Sequence, residues 1–220
     1  MNPKLIVMLT HHDKTVENAV EIFEACKDTK AEYWGFKEVG IPLDEMKRLC
    51  KMMKEAGKTT FLEVVAYTER ECLEGAKMAG ECGFDYLMGT MYFDSVRDYA
   101  KEAGLKYLPF VGKIVGRPSV LEGTVEGIVE EAKELLKKGV YGFDLLGYRF
   151  VGDPIELNNT FVREVEVPVC LAGSVDSYKR LDEVKASKSW TFTIGGAFFE
   201  NKFEGSFAEQ IDKVVDYMEK

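Results

Sequence analysis

Residues 167–199 read VPVCLAGSVDSYKRLDEVKASKSWTFTIGGAFF. Two apolar runs, Val167–Leu171 and Thr191–Ile194, enclose a charged stretch, and small residues follow each run. Short runs rich in β-branched and aromatic residues predict strands, and the charged stretch between them predicts a helix. Glycine stands just beyond both predicted strands, at Gly173 and at Gly195–Gly196. The stretch therefore predicts a strand–helix–strand unit whose strand tips carry little side chain.

The same rhythm extends back to the start of the chain. The eight predicted strands are Leu5–Leu9, Glu32–Phe36, Thr60–Val65, Tyr86–Gly89, Tyr107–Val111, Tyr141–Leu145, Val167–Leu171 and Thr191–Ile194. The segments between them show helical spacing, as in Val16–Lys27, Leu43–Ala56, Glu69–Glu81, Val125–Lys138 and Phe207–Met218. Strands and helices alternate without exception, so the pattern predicts repeated βα units and a parallel sheet.

Local signals agree with this parsing. Thr68 and Ser206 each begin a Ser/Thr-x-x-Glu sequence, which satisfies free backbone amides at a helix start. Eight βα units in 220 residues predict a compact (β/α)₈ (TIM) barrel, an α/β fold in which residues 1–220 form a single domain. A doubly wound open sheet is the alternative, but it usually has a glycine-rich turn after the first strand, where this chain has Thr10–Asp13.

Composition limits the partners. The chain has 38 acidic and 29 basic side chains, so its formal net charge is -9, and this favours neither a nucleic acid nor an anionic membrane surface. The apolar run at the N-terminus is too short for a signal peptide or a membrane span. Five cysteines without Cys-x-x-Cys spacing indicate reduced thiols, a cytoplasmic location and no metal site built on thiolates.

The glycines at the tips of the seventh and eighth strands carry the most specific signal. A short helix that begins at Gly196 would direct further N–H groups to the same place, and that geometry suits a phosphate. In these residues the chain resembles the phosphate-binding (β/α)₈ barrels, a group that includes the ribulose-phosphate-binding enzymes. The resemblance implies a phosphate bound by Gly173, Ser174, Gly195 and Gly196. Alternatively, these glycines only turn the chain tightly.

The individual family is not identified, because the chain departs from several of them. It has no Asp-x-Lys-x-x-Asp array of the orotidine-phosphate decarboxylase type. Its first strand ends at Met8–Thr10, without the Asp of the histidine-pathway isomerases. Its sixth strand, Tyr141–Leu145, has no lysine where many Schiff-base aldolases have theirs.

Polar residues inside strands provide the candidate catalytic groups. Alternation puts Glu63 on the face of Phe61, and a carboxylate pressed against the helix layer would be costly, so Glu63 should face the barrel axis. The same argument directs Asp144 inward and brings Lys37 to the mouth. These three groups are a plausible acid/base set beside a carbonyl. Lys37 and Glu63 are equally plausible as a structural ion pair, and Asp144 could cap a loop or pair with Arg149.

Further candidates lie in the loops after the strands. By the alternation of side chains along the fifth predicted strand, Lys113 would lie on the same face as Pro109 and Val111, which makes it the second candidate for a functional lysine. Arg149 would help to attract an anionic ligand. His11, beside His12, could contact a substrate, although adjacent side chains diverge and rarely bind one metal ion together. An ordinary polar loop is the alternative there, and we expect no metal site.

Two classes of function follow. The first is an enzyme acting on a small phosphorylated or anionic carbonyl compound, as an aldolase-like lyase or an isomerase/epimerase, in which Lys37 polarises the carbonyl or forms an imine. The second is a non-catalytic barrel that senses a phosphorylated metabolite. No cofactor is predicted, although a flavin phosphate (FMN) stays open as an alternative within the first class. A homo-oligomer is possible.

Overall fold

The computed structural model describes residues 2–220, and it contains eight parallel strands in one sheet. In chain order the strands are β1 (Lys4–Met8), β2 (Tyr33–Lys37), β3 (Thr59–Glu63), β4 (Tyr86–Met88), β5 (Lys106–Leu108), β6 (Phe143–Leu145), β7 (Val169–Leu171) and β8 (Thr191–Ile194). Each of the eight predicted strands corresponds to one of them. The spatial order β6–β7–β8–β1–β2–β3–β4–β5 follows the chain order around a ring.

Helices lie between the strands. They are α1 (Ala19–Cys26), α2 (Leu43–Glu55), α3 (Glu69–Cys82), α4 (Asp94–Glu102), α5 (Val125–Lys137), α6 (Pro154–Val165), α7 (Tyr178–Ser187), the one-turn α8 (Gly196–Phe199) and α9 (Phe207–Glu219). The predicted caps are present, because the Thr68 and Ser206 side chains accept hydrogen bonds from the first turns of α3 and α9. None of the helices in residues 2–220 is both long enough and apolar enough to cross a membrane.

The ring closes between β5 and β6. The Tyr141 N–H donates to the Tyr107 carbonyl at 2.9 Å, and the Asp144 N–H donates to the Pro109 carbonyl at 3.1 Å. These two bonds join the ends of the sheet, so the architecture is a (β/α)₈ barrel as predicted, and the doubly wound alternative is wrong.

The strands alternate between two cores. One face of each strand packs under the helices, with Trp34, Leu62 and Phe143 fully buried. The other face fills the interior of the barrel, where the core residues are Ile6, Met8, Phe61, Tyr86, Met88, Leu108 and Cys170. Trp190 packs against the rings of Tyr33, Phe61, Tyr86 and Tyr141 and closes the N-terminal end of the barrel. The C-terminal end of the interior is left for polar groups.

Two short antiparallel hairpins extend from the C-terminal end and were not predicted. The first hairpin pairs Thr10–His11 with Lys14–Thr15, so α1 begins at Ala19, later than the predicted start at Val16. The second hairpin pairs Lys113–Val115 with Val120–Glu122, in the long connection after β5. Both hairpins lie where βα loops form the active sites of (β/α)₈ barrels.

Candidate functional site

A cavity of about 390 Å³ opens at the C-terminal end of the barrel. Its walls come from the ends of β1, β2, β3, β7 and β8 and from both hairpins. The lining residues used below are Thr10, His11, Asp13, Lys37, Glu63, Arg149, Gly173, Ser174, Asp176, Gly195, Gly196 and Glu200. Eight of the ten site residues predicted from sequence line this cavity, Lys37 and Glu63 among them. The other two do not: Asp144 is buried in the interior of the barrel, and Lys113 lies on the second hairpin.

Lys37 and Glu63 stand side by side on the interior face. The β2–β3 register pairs them directly, at the ends of the two strands. Both follow the alternation of the sequence, because Tyr33 and Phe61 on the same faces belong to the interior cluster. The Lys37 backbone is fixed by Thr15, whose hydroxyl accepts from the Lys37 N–H and donates to the Lys37 carbonyl. The parity argument for these two residues therefore describes their placement correctly.

Lys37 is buried but charged. Its Nζ lies 3.2 Å from a carboxylate oxygen of Asp13, and only 11% of its side chain is exposed. Burial by itself lowers the pKa of this ammonium, but the carboxylates of Glu63, Asp13 and Glu38 outweigh burial and raise the pKa above its usual value. Lys37 is therefore held as a cation.

Asp144 lies on β6, fully buried in the interior of the barrel. Neither of its carboxylate oxygens has a hydrogen-bond partner within residues 2–220, and Arg149 does not pair with it. Burial raises its pKa well above the usual value, and the charge of Glu63 adds to the rise, while Lys37 opposes it. This environment favours the neutral, protonated form of the carboxyl group.

Glu38 is a functional-site neighbour that the sequence reasoning missed. It follows Lys37 and one of its oxygens accepts a hydrogen bond from the Val65 N–H at 3.0 Å. Burial raises its pKa to about 6, and the nearby Glu63 contributes. Its position just beyond β2 gave no parity signal, because alternation holds only inside a strand.

The tips of β7 and β8 form the opposite wall. Gly173 and Ser174 both have positive φ, and no group in residues 2–220 accepts a hydrogen bond from either backbone N–H. Helix α8 begins at Gly196, as predicted; the Phe198 N–H donates to the Gly195 carbonyl, whereas the N–H groups of Gly196 and Ala197 donate to no group in residues 2–220. A Cβ on Gly195 would lie 2.7 Å from the Thr10 hydroxyl, whereas a Cβ on Gly196 would make only ordinary contacts, at 3.6 Å with His11 Cδ2 and 3.9 Å with Glu200 Oε1. Free amides and missing side chains leave room for an anion there.

Arg149 lies across this wall. Its side chain covers Gly173, where a Cβ would come within 2.9 Å of the Arg149 Cγ. Within the described part of the chain the Arg149 guanidinium has no hydrogen bond and no ion pair. It is thus a cation at the cavity without a carboxylate partner.

His11 connects the first hairpin to α8. Its ring stacks on Phe199 at 5.3 Å, and its Nε2 lies 3.8 Å from a Glu200 oxygen. Carboxylates of Asp176 and Glu200 also line this end of the cavity. Within residues 2–220 no group of three His, Cys, Asp or Glu side chains is arranged to hold a metal ion.

Lys113 lies away from the cavity. It belongs to the second hairpin, 70% of its side chain is exposed, and its Nζ pairs with Glu122 at 2.7 Å. The parity argument does not reach it, because β5 ends at Leu108 and Gly112 has a positive φ that interrupts the alternation. The same hairpin covers the mouth instead through Arg117, which donates to the Val65 carbonyl, and Ser119, which bonds Tyr67.

Comparison by sequence finds no relative. No protein-family model matches the chain. No curated protein matches it either.

Comparison by structure finds many solved proteins with this fold. Orotidine 5′-phosphate decarboxylase from Pyrococcus horikoshii OT3 matches with a TM-score of 0.71 and 14% identity, over 98% of this chain and 99% of that one. N-acetylmannosamine-6-phosphate 2-epimerase from Clostridium perfringens matches with a TM-score of 0.65 and 13% identity, over 97% and 92%. A glycerol uptake operon antiterminator regulatory protein from Listeria monocytogenes matches with 0.60 and 14%, over 88% and 92%.

The fold is therefore a (β/α)₈ barrel, as the alternation of strands and helices predicted. At these identities the likeness establishes the fold alone. What the chain does must be argued from its own cavity.

Proposed function

We propose that this protein is an enzyme that binds a small phosphorylated carbonyl compound and transfers a proton at the carbon next to the carbonyl group. This is the chemistry of an isomerase or epimerase. One observation carries the proposal: a single cavity has free backbone amides and Arg149 at one wall and the Lys37–Glu63 pair at the other.

The anion would bind at the β7 and β8 tips. Gly173, Ser174, Gly195 and Gly196 offer backbone N–H groups, and Arg149 offers an unpaired guanidinium, which suits the several oxygens of a phosphate. The carboxylates of Asp176 and Glu200 would hydrogen-bond ligand hydroxyls. A free sugar without the phosphate should bind far more weakly.

The proton transfer would use the interior groups. Glu63 removes the proton from the carbon, and the Lys37 ammonium hydrogen-bonds the carbonyl oxygen and stabilises the negative charge that develops there. Asp144 does not line the cavity, so it exchanges no proton with the substrate in this scheme; burial favours its neutral form, which limits the negative charge around Glu63. In an isomerisation Glu63 returns its proton to the neighbouring carbon, while Lys37 gives a proton to the former carbonyl oxygen and takes one from the adjacent hydroxyl, so both side chains end as they began.

Imine formation by Lys37 has less support. An imine needs an unprotonated amine, and the three surrounding carboxylates favour the ammonium form. An aldolase-like lyase that proceeds through an enolate uses the same groups and stays within the proposal. Treatment with borohydride in the presence of substrate should label no lysine, and a labelled Lys37 would replace the acid/base version with the imine version.

A two-part experiment tests the function. Inorganic phosphate and a panel of phosphorylated aldoses, ketoses and keto acids are first screened by thermal shift. Any compound that stabilises the protein is then incubated in D₂O, and exchange of its carbon-bound protons is followed by ¹H NMR. We expect stabilisation by phosphate esters and exchange that Glu63→Gln abolishes. If neither phosphate nor any ester stabilises the protein, the proposal is wrong.

A glycine pair provides the matched control. Gly196→Ala adds a methyl group at the cavity that meets His11 Cδ2 at 3.6 Å, an ordinary contact, so it should weaken phosphate binding about tenfold without unfolding the protein. Gly127→Ala adds the same group in the first turn of α5, far from the cavity, and should leave binding unchanged.

A metabolite-sensing barrel is the second candidate. Its support is the likeness in fold to the antiterminator protein, which is described as a regulatory protein. Binding of a phosphate ester without proton exchange or product formation, for every ester that binds, would favour the sensor.

A further inference from the structure

The first hairpin touches both walls of the cavity. At one end Thr10 packs against Gly195, and His11 stacks on Phe199 of α8, beside the free amides. At its tip, Asp13 hydrogen-bonds Lys37 Nζ at 3.2 Å. The proposed phosphate and the lysine that would face the carbonyl therefore share one short segment of six residues.

The hairpin is firmly built. Its two central residues, His12 and Asp13, have φ of 50° and 59°, as a tight two-residue turn between antiparallel strands requires. Its second strand is anchored to the end of β2, since Thr15 donates its N–H to the Val39 carbonyl, and a Cβ on Gly40 would lie 2.1 Å from the Thr15 carbonyl oxygen. The Asp13 carboxylate is thus held in place over Lys37.

Asp13 differs from the other acids around Lys37. One oxygen of Glu38 accepts from the Val65 N–H, Glu63 is the proposed base, and Asp144 is fully buried in the barrel interior, where burial favours its neutral form. Asp13 is half exposed and makes its hydrogen bond to the lysine itself. Of the four acids, it alone is placed to fix the position of the ammonium without reacting.

We propose that Asp13 is a positioning residue, which uses the first hairpin to hold the Lys37 ammonium charged and directed into the cavity. The role of Lys37 toward a substrate rests on the proposed function. The Asp13–Lys37 link itself can be tested in the protein without any ligand.

The test measures the reactivity of Lys37 as a function of pH. The protein is labelled with trace acetic anhydride from pH 7 to 11, and acetylation of Lys37 is quantified by peptide mass spectrometry. Asp13→Asn keeps the shape of the side chain, and asparagine tolerates positive φ, so the turn survives. Asp28→Asn, on an exposed loop, removes the same charge elsewhere and is the matched control.

We expect the midpoint of the Lys37 profile to fall in Asp13→Asn, so that labelling at a fixed pH below the midpoint becomes about 3- to 10-fold faster. Asp13→Glu should restore most of the midpoint, and Asp28→Asn should leave it unchanged. A variant that merely opens the site would raise the plateau rate with no change in midpoint. That result, or an equal shift in Asp28→Asn, would overturn the proposal.

The two proposals fail separately. If the midpoint shifts as expected but no phosphate ester binds, the positioning role of Asp13 stands and the proposed function is wrong. If an ester is turned over while the midpoint in Asp13→Asn equals that of the wild type, the proposed function stands and Asp13 has no positioning role. With a substrate in hand, Asp13→Asn should lower kcat more than it raises KM.

Discussion

The two ends of the barrel interior are built from the same strands with the same alternation of side chains, yet one end is apolar and packed and the other is polar and open. At the N-terminal end, Phe61 stacks on Tyr86 at 4.4 Å and Trp190 closes the layer. At the C-terminal end, two residues further along β3, Glu63 faces Lys37 and a cavity. Aromatic packing at one end stabilises the fold, whereas the other end holds a buried carboxyl with no hydrogen-bond partner. Such a group costs stability, and this marks the end at which function is to be sought.

Glu63→Gln should give the largest effect. Removing the proposed base should reduce turnover by about 10²- to 10⁴-fold, because the amide cannot accept the proton, while its shape is retained. The free energy of unfolding should change little. Steady-state kinetics and urea denaturation of the same sample check both halves, and retained turnover would assign the base elsewhere.

Phe61→Ala should show the reverse behaviour on the same face of the same strand. Phe61 is fully buried, so its loss leaves a cavity in the aromatic layer and should lower the free energy of unfolding by about 3–5 kcal/mol. The folded fraction should still bind phosphate. Urea denaturation followed by circular dichroism measures the loss, and a change below about 1 kcal/mol would mean that the layer is not a stabilising core.

Asp144→Asn should change the pH dependence of stability. The pKa of Asp144 is raised in the folded protein, so between its ordinary value near 3.8 and that raised value the unfolded chain ionises first. Rising pH then destabilises the wild type by up to about 1.4 kcal/mol for each pH unit, and the variant lacks this loss. Urea titrations should therefore show that the free energy of unfolding of the variant, relative to that of the wild type, is higher at pH 7 than at pH 4. An unchanged difference would mean that Asp144 is ionised.

Lys113→Ala should have the smallest effect. Lys113 forms an exposed ion pair with Glu122, and such pairs contribute at most about 1 kcal/mol. Turnover and phosphate binding should equal those of the wild type. A large loss of turnover, seen in the same assay as Glu63→Gln, would show that the second hairpin brings this lysine to the cavity.

The features that the sequence predicts correctly belong to the regular parts of the chain. Inside a strand the period of two is fixed by the backbone, so the inward placement of Lys37, Glu63 and Asp144 could be predicted. The glycines beyond β7 and β8 were found because a strand tip without side chains is visible in the sequence. Both arguments need only local regularity.

The features that the sequence does not predict depend on how the loops after the strands fold back onto the barrel. Asp13 contacts Lys37 because a tight turn reverses the chain there, whereas the sequence Thr10–Asp13 predicts either a substrate contact by His11 or a polar loop, and no contact of Asp13. Lys113 lies away from the cavity because β5 ends at Leu108, so the alternation of the strand does not extend to residue 113. Arg149 was placed at the right face, but that its side chain covers Gly173 follows from tertiary packing alone.

The closure of the ring between β5 and β6 bears on Asp144. Elsewhere the sheet is joined by continuous ladders, such as the five paired residues of β2 and β3, whereas this seam rests on two backbone bonds, one of them from the Asp144 N–H. A seam with few bonds opens at a lower free energy than the rest of the sheet. We therefore expect the amides of Tyr141 and Asp144 to exchange with deuterium before those of β2. Opening at the seam would also let water reach the buried carboxyl group of Asp144 from the side, so that its proton could exchange with solvent while a ligand still fills the mouth.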